Sequence, residues 1–210
     1  MRTAVKVTLA TLGAMVVFAL LLVLAAVGSY NGLVSLQQAT NAQWAQVQNV
    51  YQRRADLVPN LVNTVAGAAN FEKSTMTAVT DARASVGRVQ LPAGTAPTDP
   101  AQLAAFEQAQ GQLGGALSRL LVVSENYPNL RATDSFRDLQ AQLEGTENRI
   151  SVERGRYNDV VQRYNTATKS FPTLVYAGSF GFKEKPYFTA TAGAEVAPKV
   201  DFGPQGTSPK

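Results

Sequence analysis

Apolar residues run without a charge from position 7 to position 27, VTLATLGAMVVFALLLVLAAV, and from position 33 onward they recur every three or four residues. The first pattern predicts a transmembrane helix, since a bilayer core takes about 20 apolar residues as a helix. The second predicts amphipathic helices, each with an apolar stripe that must be buried against a neighbour. Leu33, Leu36, Trp44, Val47, Tyr51, Arg54, Val58, Leu61 and Val65 mark the stripe of a long first helix ending near residue 69, with Pro59 inside it. Gly28, Asn31 and Gly32 either break the helix at the membrane surface or only thin its apolar face. A shorter second helix follows a turn near Asn70 and carries Met76, Val79, Ala82 and Val86 inward. The segment LPAGTAPTDP, 91–100, holds three prolines and a glycine and reads as a loop open to proteolysis.

A third helix, about 101–126, keeps the rhythm through Leu103, Phe106, Gln110, Leu113, Leu117, Leu120, Ser124 and Tyr127, and Pro128 ends it. Asp134 or Ser135 is the expected N-cap of the fourth. There Phe136, Leu139, Leu143, Thr146, Ile150, Glu153, Tyr157, Val160, Tyr164, Ala167 and Phe171 alternate steps of three and four until Pro172. That spacing is the signature of knobs-into-holes packing. The expected fold is all-α. An N-terminal single transmembrane helix precedes an elongated antiparallel four-helix bundle, up-down-up-down, with long first and fourth helices. The expected divisions are an N-terminus at 1–6, an anchor at 7–28, a bundle at 29–172, an aromatic membrane-proximal segment at 173–188 and a flexible tail at 189–210.

Charge fixes orientation. Arg2 and Lys6 precede the apolar run, and no Lys or Arg follows until Arg53. The positive-inside rule then predicts an N-terminus in the cytoplasm and a bundle on the outer side of the membrane. The run is longer than the 7–15 residues of a signal-peptide core, and Ala25, Val27 and Gly28 make a poor cleavage site, so the segment reads as an uncleaved anchor. The net charge of +4 does not mark a nucleic-acid binder, because residues 30–172 hold 13 Lys and Arg against 12 Asp and Glu.

The chain contains no His and no Cys. This removes disulfides, thiolate sites, the usual neutral-pH base and the Glu-x-x-His pairs of di-iron bundles, so no catalytic residue, cofactor or metal is expected. A Ser–Lys dyad is the surviving nucleophile arrangement, but Lys73-Ser74 and Lys169-Ser170 are adjacent and point to different sides of a helix. Gly111–Gly115 lies within a helical period, where the glycines permit close approach of a neighbour.

Arg54 and Glu153 fall on buried stripes, where a charge needs a partner. The structural reading is an ion pair of Arg53 or Arg54 with Glu147 or Glu153 that sets helix register. The functional alternative is a socket for a ligand or partner. Beyond Pro172, Tyr176, Phe180, Phe182, Tyr187 and Phe188 interleave with Lys183 and Lys185. In an up-down bundle this segment returns to the membrane end. One reading makes it a hydrophobic cap over the bundle's lower end. The other is interfacial docking, with rings at headgroup depth and lysines on phosphates.

YQRRADLVPNLVNTV at 51–65, Ala82-Arg83, and YPNLRATDSFRDLQAQLEGTENRISVERGRYNDVVQRYN at 127–165 with Phe171-Pro172 and Phe182 together resemble the LemA family over residues 30–188. The resemblance implies a membrane-anchored helical bundle of bacterial envelopes and some specialised membrane compartments, and it brings no catalytic residue. The function expected from these observations is a non-enzymatic scaffold on the lipid bilayer, forming a homo-oligomer. The alternative is an accessory subunit of a membrane-protein partner; a membrane protease is the partner the resemblance implies.

Overall fold

The computed structural model describes residues 2–68, 71–89 and 91–189, without the side chains of 2–5, 7 and 8. Helix α1 spans Arg2–Ala66 in 65 residues, α2 Lys73–Arg88, α3 Pro100–Ser124, the single turn α4 Pro128–Arg131 and α5 Asp134–Lys169. A 3-10 turn at Thr173–Val175 follows the cis Phe171–Pro172 bond. The predicted all-helical fold is present, and its anchor and first bundle helix are one element. Gly28, Asn31 and Gly32 do not interrupt α1, and neither does Pro59.

Local chemistry sets the ends. Asp99 caps α3, its Oδ1 accepting from Ala101 N at 2.8 Å, and Pro100 occupies the first turn, where a missing N–H costs nothing. At α5 the cap is Thr133, one residue before the two expected candidates, with its hydroxyl oxygen accepting from Phe136 N at 3.4 Å. The turn expected at Asn70 lies outside the described residues.

Helix α1 packs along α5 and α2 along α3, and α1 also touches α2. The pairing of α1 with α5 is antiparallel. Leu33 meets Tyr164 at the membrane end, Trp44 meets Tyr157 in the middle, and Leu61 clusters with Leu143 and Phe136 at the far end. Arg83 Nε donates to Ala55 O at 3.0 Å and brings α2 back down beside α1. Trp44, Tyr157 and Tyr164 are fully buried, and burying each such side chain contributes on the order of 2 kcal/mol.

Two sequence expectations need correction. On α5 the stripe drifts after Tyr157, so Val161, Asn165 and Thr168 are buried in place of Val160 and Ala167; Phe171 lies past the end of the helix and is 84% exposed. A straight helix turns every 3.6 residues, so a strict seven-residue seam precesses off the interface over five heptads. The 91–99 loop is also pinned. Gln48 Oε1 accepts from Gly94 N at 3.0 Å, Asn41 Oδ1 accepts from Ala96 N at 3.1 Å, and Ala96 is 1% exposed. A loop whose backbone is bonded to side chains of α1 is a poor protease substrate.

Candidate functional site

Two places hold polar groups away from water. The first is centred on Arg54, which is 4% exposed. Its position on the α1 stripe forces the guanidinium inward, and three oxygens receive it. Nη1 donates to Glu147 Oε2 of α5 at 2.9 Å, and Nη2 donates to Gln110 O of α3 at 3.0 Å and also to Gln110 Oε1. The Tyr51 ring lies 5.2 Å from the guanidinium carbon. One arginine thereby ties α1 to both α3 and α5. Arg54 Nε is buried without a partner.

The side chains singled out from the sequence therefore separate. Arg54 and Glu147 meet; Arg53 faces solvent. Glu153 pairs within its own helix, accepting from Arg156 Nη1 at 2.8 Å, and reaches α1 through Gln43, whose Nε2 donates at 2.6 Å. Arg154 and Glu107 form a further pair at 2.7 Å between α5 and α3. Burial pushes the Glu107 carboxyl up, against the opposing pull of the Arg154 charge.

A groove of about 730 Å³ runs over these groups between α3 and α5, where Gly111, Gly114 and Gly115 leave α3 without side chains. A methyl on Gly114 would sit 3.8 Å from Arg54 Nη1, an ordinary contact. Among the described residues no group of three or more carboxylates, His or Cys is arranged to hold a metal. The pair is half-buried, because the Arg54 side chain is 5% exposed and that of Glu147 63%, and the arginine bonds to both α3 and α5.

The second place is the segment after α5. From Ser170 to Gly181 the backbone closes on itself in successive turns, with Leu174 N, Val175 N, Tyr176 N and Ala177 N each donating three or four residues back. Tyr30 of α1 contacts Phe180 and Phe182 edge to face, both at 5.5 Å, and Tyr176 Oη donates to Ala26 O at 3.5 Å. Gly181 then takes φ +82°, a left-handed conformation that favours glycine, and the chain reverses.

Residues 182–189 climb back along the bundle as an extended strap. Phe182, 7% exposed, packs at the membrane end with Tyr30 and Leu33, where the cap reading puts it, whereas Lys185 and Phe188, at 2% and 5% exposure, lie buried farther up the bundle, where neither reading put them. Two asparagines hold the backbone. Asn165 accepts from Lys185 N at 3.0 Å and donates to Lys185 O at 2.8 Å; Asn158 does the same for Phe188 at 2.9 Å in both directions. Tyr164 Oη donates to Lys183 O at 3.0 Å. Phe188 fills a box with Trp44 and Tyr157, and the Arg154 guanidinium lies 4.7 Å from its ring centre. Lys185 Nζ reaches across to Ala96 O at 3.1 Å, and burial without a carboxylate lowers its pKa. Tyr176 is half-buried, while Phe180, Lys183 and Tyr187 stay exposed.

Sequence reasoning missed Asn158 and Asn165. They are seven residues apart, hence on one face of α5, and that repeat of the same amide was the available signal.

A sequence model of the LemA family matches residues 43–202. The chain belongs to the LemA family. The match begins ten residues inside the bundle and extends beyond Phe188, so it takes in the strap along with the helices. Magnetosome protein MamQ 2 of Paramagnetospirillum magneticum is 28% identical over 175 residues, covering 76% of this chain and 64% of that protein. Magnetosome protein MamQ of Magnetospirillum gryphiswaldense is 26% identical over 174 residues, with the same coverage. Protein LemA of Metamycoplasma hominis is 22% identical over 165 residues, 79% of this chain and 71% of its own. The chain spans 64% of the length of the MamQ relatives. Among the described residues one helix is long and apolar enough to cross a membrane.

Proposed function

We propose that this LemA-family chain is a non-enzymatic, membrane-anchored scaffold of the bacterial envelope that self-associates, with its N-terminus cytoplasmic and its bundle on the outer side. The observation that carries this reading is the unbroken α1. The same 65-residue helix supplies the apolar run and one wall of the bundle, so tilt or rotation of the anchor is transmitted to the bundle without a linker. The charge asymmetry of Arg2 and Lys6 against an uncharged stretch to Arg53 supports the orientation. The Arg54 contacts tie α1 to α3 and α5, and the Asn158 and Asn165 contacts hold the strap, an arrangement that supports a mechanical role. Relatives named as magnetosome proteins fit a role in organising a membrane surface.

Tethering confines the chains to two dimensions and raises their effective concentration, so weak contacts between bundles suffice for assembly. Mass photometry of the full chain in lipid nanodiscs, sized to hold several copies, tests the idea. Assemblies at multiples of 22.4 kDa are expected. Monomers that co-purify with a stoichiometric membrane-protein partner would overturn the scaffold in favour of an accessory subunit.

A further inference from the structure

Beyond the span and Tyr30, the exposed large hydrophobic residues among those described are Val122, Val152, Phe171, Leu174, Val175, Phe180 and Tyr187. Four of the seven fall within ten consecutive residues, and those four are 61–84% exposed. Scattered apolar residues on a surface are ordinary, but a cluster of this density marks a contact. Its place in the fold identifies the contact. The turn that carries these side chains is joined to α1 by the Tyr176–Ala26 hydrogen bond and by the Tyr30–Phe180 ring contact. Between them lies a 430 Å³ notch lined by Ala26, Val27, Tyr30, Tyr176 and Phe180. Ala26 and Val27 are the last residues of the apolar run. At 1.5 Å per residue the 21 residues of that run span about 31 Å, the thickness of a bilayer's hydrocarbon core. When the run fills the bilayer, the turn therefore sits at the water–lipid boundary.

We propose that residues 171–180 form an interfacial collar, with Phe171, Leu174, Val175 and Phe180 set into the headgroup region of the bilayer that holds α1. This deepens the membrane-anchored reading and rests on it. The occupant is lipid because the patch is continuous with the lipid-facing surface of α1, whose large hydrophobic side chains from Leu9 to Val27 are more than half exposed. Exposed apolar side chains beside aromatic rings at the end of a span match the composition of interfacial anchors. The collar adds a second point of attachment beside the helix axis. A single helix leaves the bundle free to rotate and lean, whereas two adjacent attachments fix which face meets the membrane.

The collar is tested with the full chain in liposomes of dibrominated phosphatidylcholine, using Phe171→Trp, Val175→Trp and Phe180→Trp. The native Trp44 is fully buried and lies 17 residues past Val27, about 25 Å along the helix, so it is out of reach of the bromines and reports the fold. Leu21→Trp in the span and Tyr187→Trp on the strap complete the set. The expected result is that emission from the tryptophans at 171, 175 and 180 falls about two-fold or more on bromination, as for Leu21→Trp, while Tyr187→Trp is unchanged. Quenching of Leu21→Trp without quenching at 171, 175 and 180 overturns the collar and leaves the anchor standing. Quenching at none of these positions overturns both. Tryptophans at 171–180 that are shielded from acrylamide but untouched by bromine are covered by protein, a second copy included, and the lipid assignment fails.

Discussion

Phe180 and Phe182 are two residues apart; one is 65% exposed and the other 7%. The same contrast runs through their surroundings. In the turn, Phe171, Leu174 and Val175 face outward, while in the strap Phe182, Lys185 and Phe188 face inward, so a lysine is buried where two phenylalanines and a valine are not. Hydrophobicity does not sort these residues. Backbone hydrogen bonding does. In the turn the amides of residues 174–177, 180 and 181 find carbonyls three or four residues back, so much of the backbone is satisfied locally and the side chains are free to point away from the bundle. Past Phe182 the strap has no neighbouring strand, and backbone groups of Lys183, Lys185 and Phe188 are met by Tyr164, Asn165 and Asn158 of α5. Those partners fix the register in which the strap lies, and the register decides that Phe188 enters the Trp44–Tyr157 box.

The largest effect separating the two regions is expected from paired truncations. Phe188→Ala empties a buried aromatic site and should cost about 3–5 kcal/mol, whereas Phe171→Ala should change stability by about 0.5 kcal/mol or less. Urea titrations of the detergent-solubilised chain, followed by circular dichroism, give both numbers. Equal losses would mean that the turn is part of the core and would remove the distinction.

Next in size is the amide clamp. Asn165→Ala leaves both Lys185 N and Lys185 O buried without partners, and the expected cost is about 2–3 kcal/mol. Asn158→Ala acts on Phe188, whose bonds to the amide are only partly buried, and should cost about 1 kcal/mol. Hydrogen exchange adds a spatial readout. Asn165→Ala should deprotect residues 183–189 and leave the amides of 174–177 at wild-type rates. Smaller than the Asn165→Ala loss is that of Gly181→Val at the junction, where φ of +82° disfavours a β-branched side chain by about 1–2 kcal/mol. A loss confined to strap protection, with the turn intact, would identify Gly181 as the boundary between the two regions.

The helices were legible because each buried stripe repeats many times. The inward positions assigned to α1 and α3 are nearly all buried, from Leu33 to Val65 and from Leu103 to Ser124. The error at Val160 and Ala167 came from carrying a seven-residue period along a helix that turns every 3.6 residues, and that at Phe171 from extending the helix past its end at Lys169. Of the charges on the stripes, Arg54 was legible because no other placement was open to it, but its choice among Glu147, Gln110 and Glu153 depends on how far α3 and α5 stand apart. The strap was not legible. Its aromatic and basic residues fit a membrane-interface pattern as well as a buried one, and the amides that decide between them lie 20 and 30 residues earlier in the chain.

The smallest expected effect concerns Lys185, and it tests whether the strap is buried in solution as deeply as its packing implies. Burial lowers the pKa of this amine below its ordinary 10.5. Between that lowered value and 10.5 the unfolded chain binds more protons than the folded one, so this group makes stability rise with pH through the window. Its contribution is fully present above 10.5 and is lost as pH falls through the folded pKa. Tyr51, Tyr157 and Tyr164 act in the opposite direction, because burial raises their pKa values and their contribution fades as pH rises above 10. Comparison with Lys185→Met cancels the tyrosines, which both proteins share. At pH 7 the two proteins should be within about 1 kcal/mol, since Met keeps the packing, removes a buried charge and gives up one bond to Ala96 O. The difference should then shift in favour of the wild type as pH is raised toward 10.5. A difference that stays flat with pH would place Lys185 in water and the strap off the bundle. The 182–189 segment would then belong with the turn, and the contrast between them would disappear.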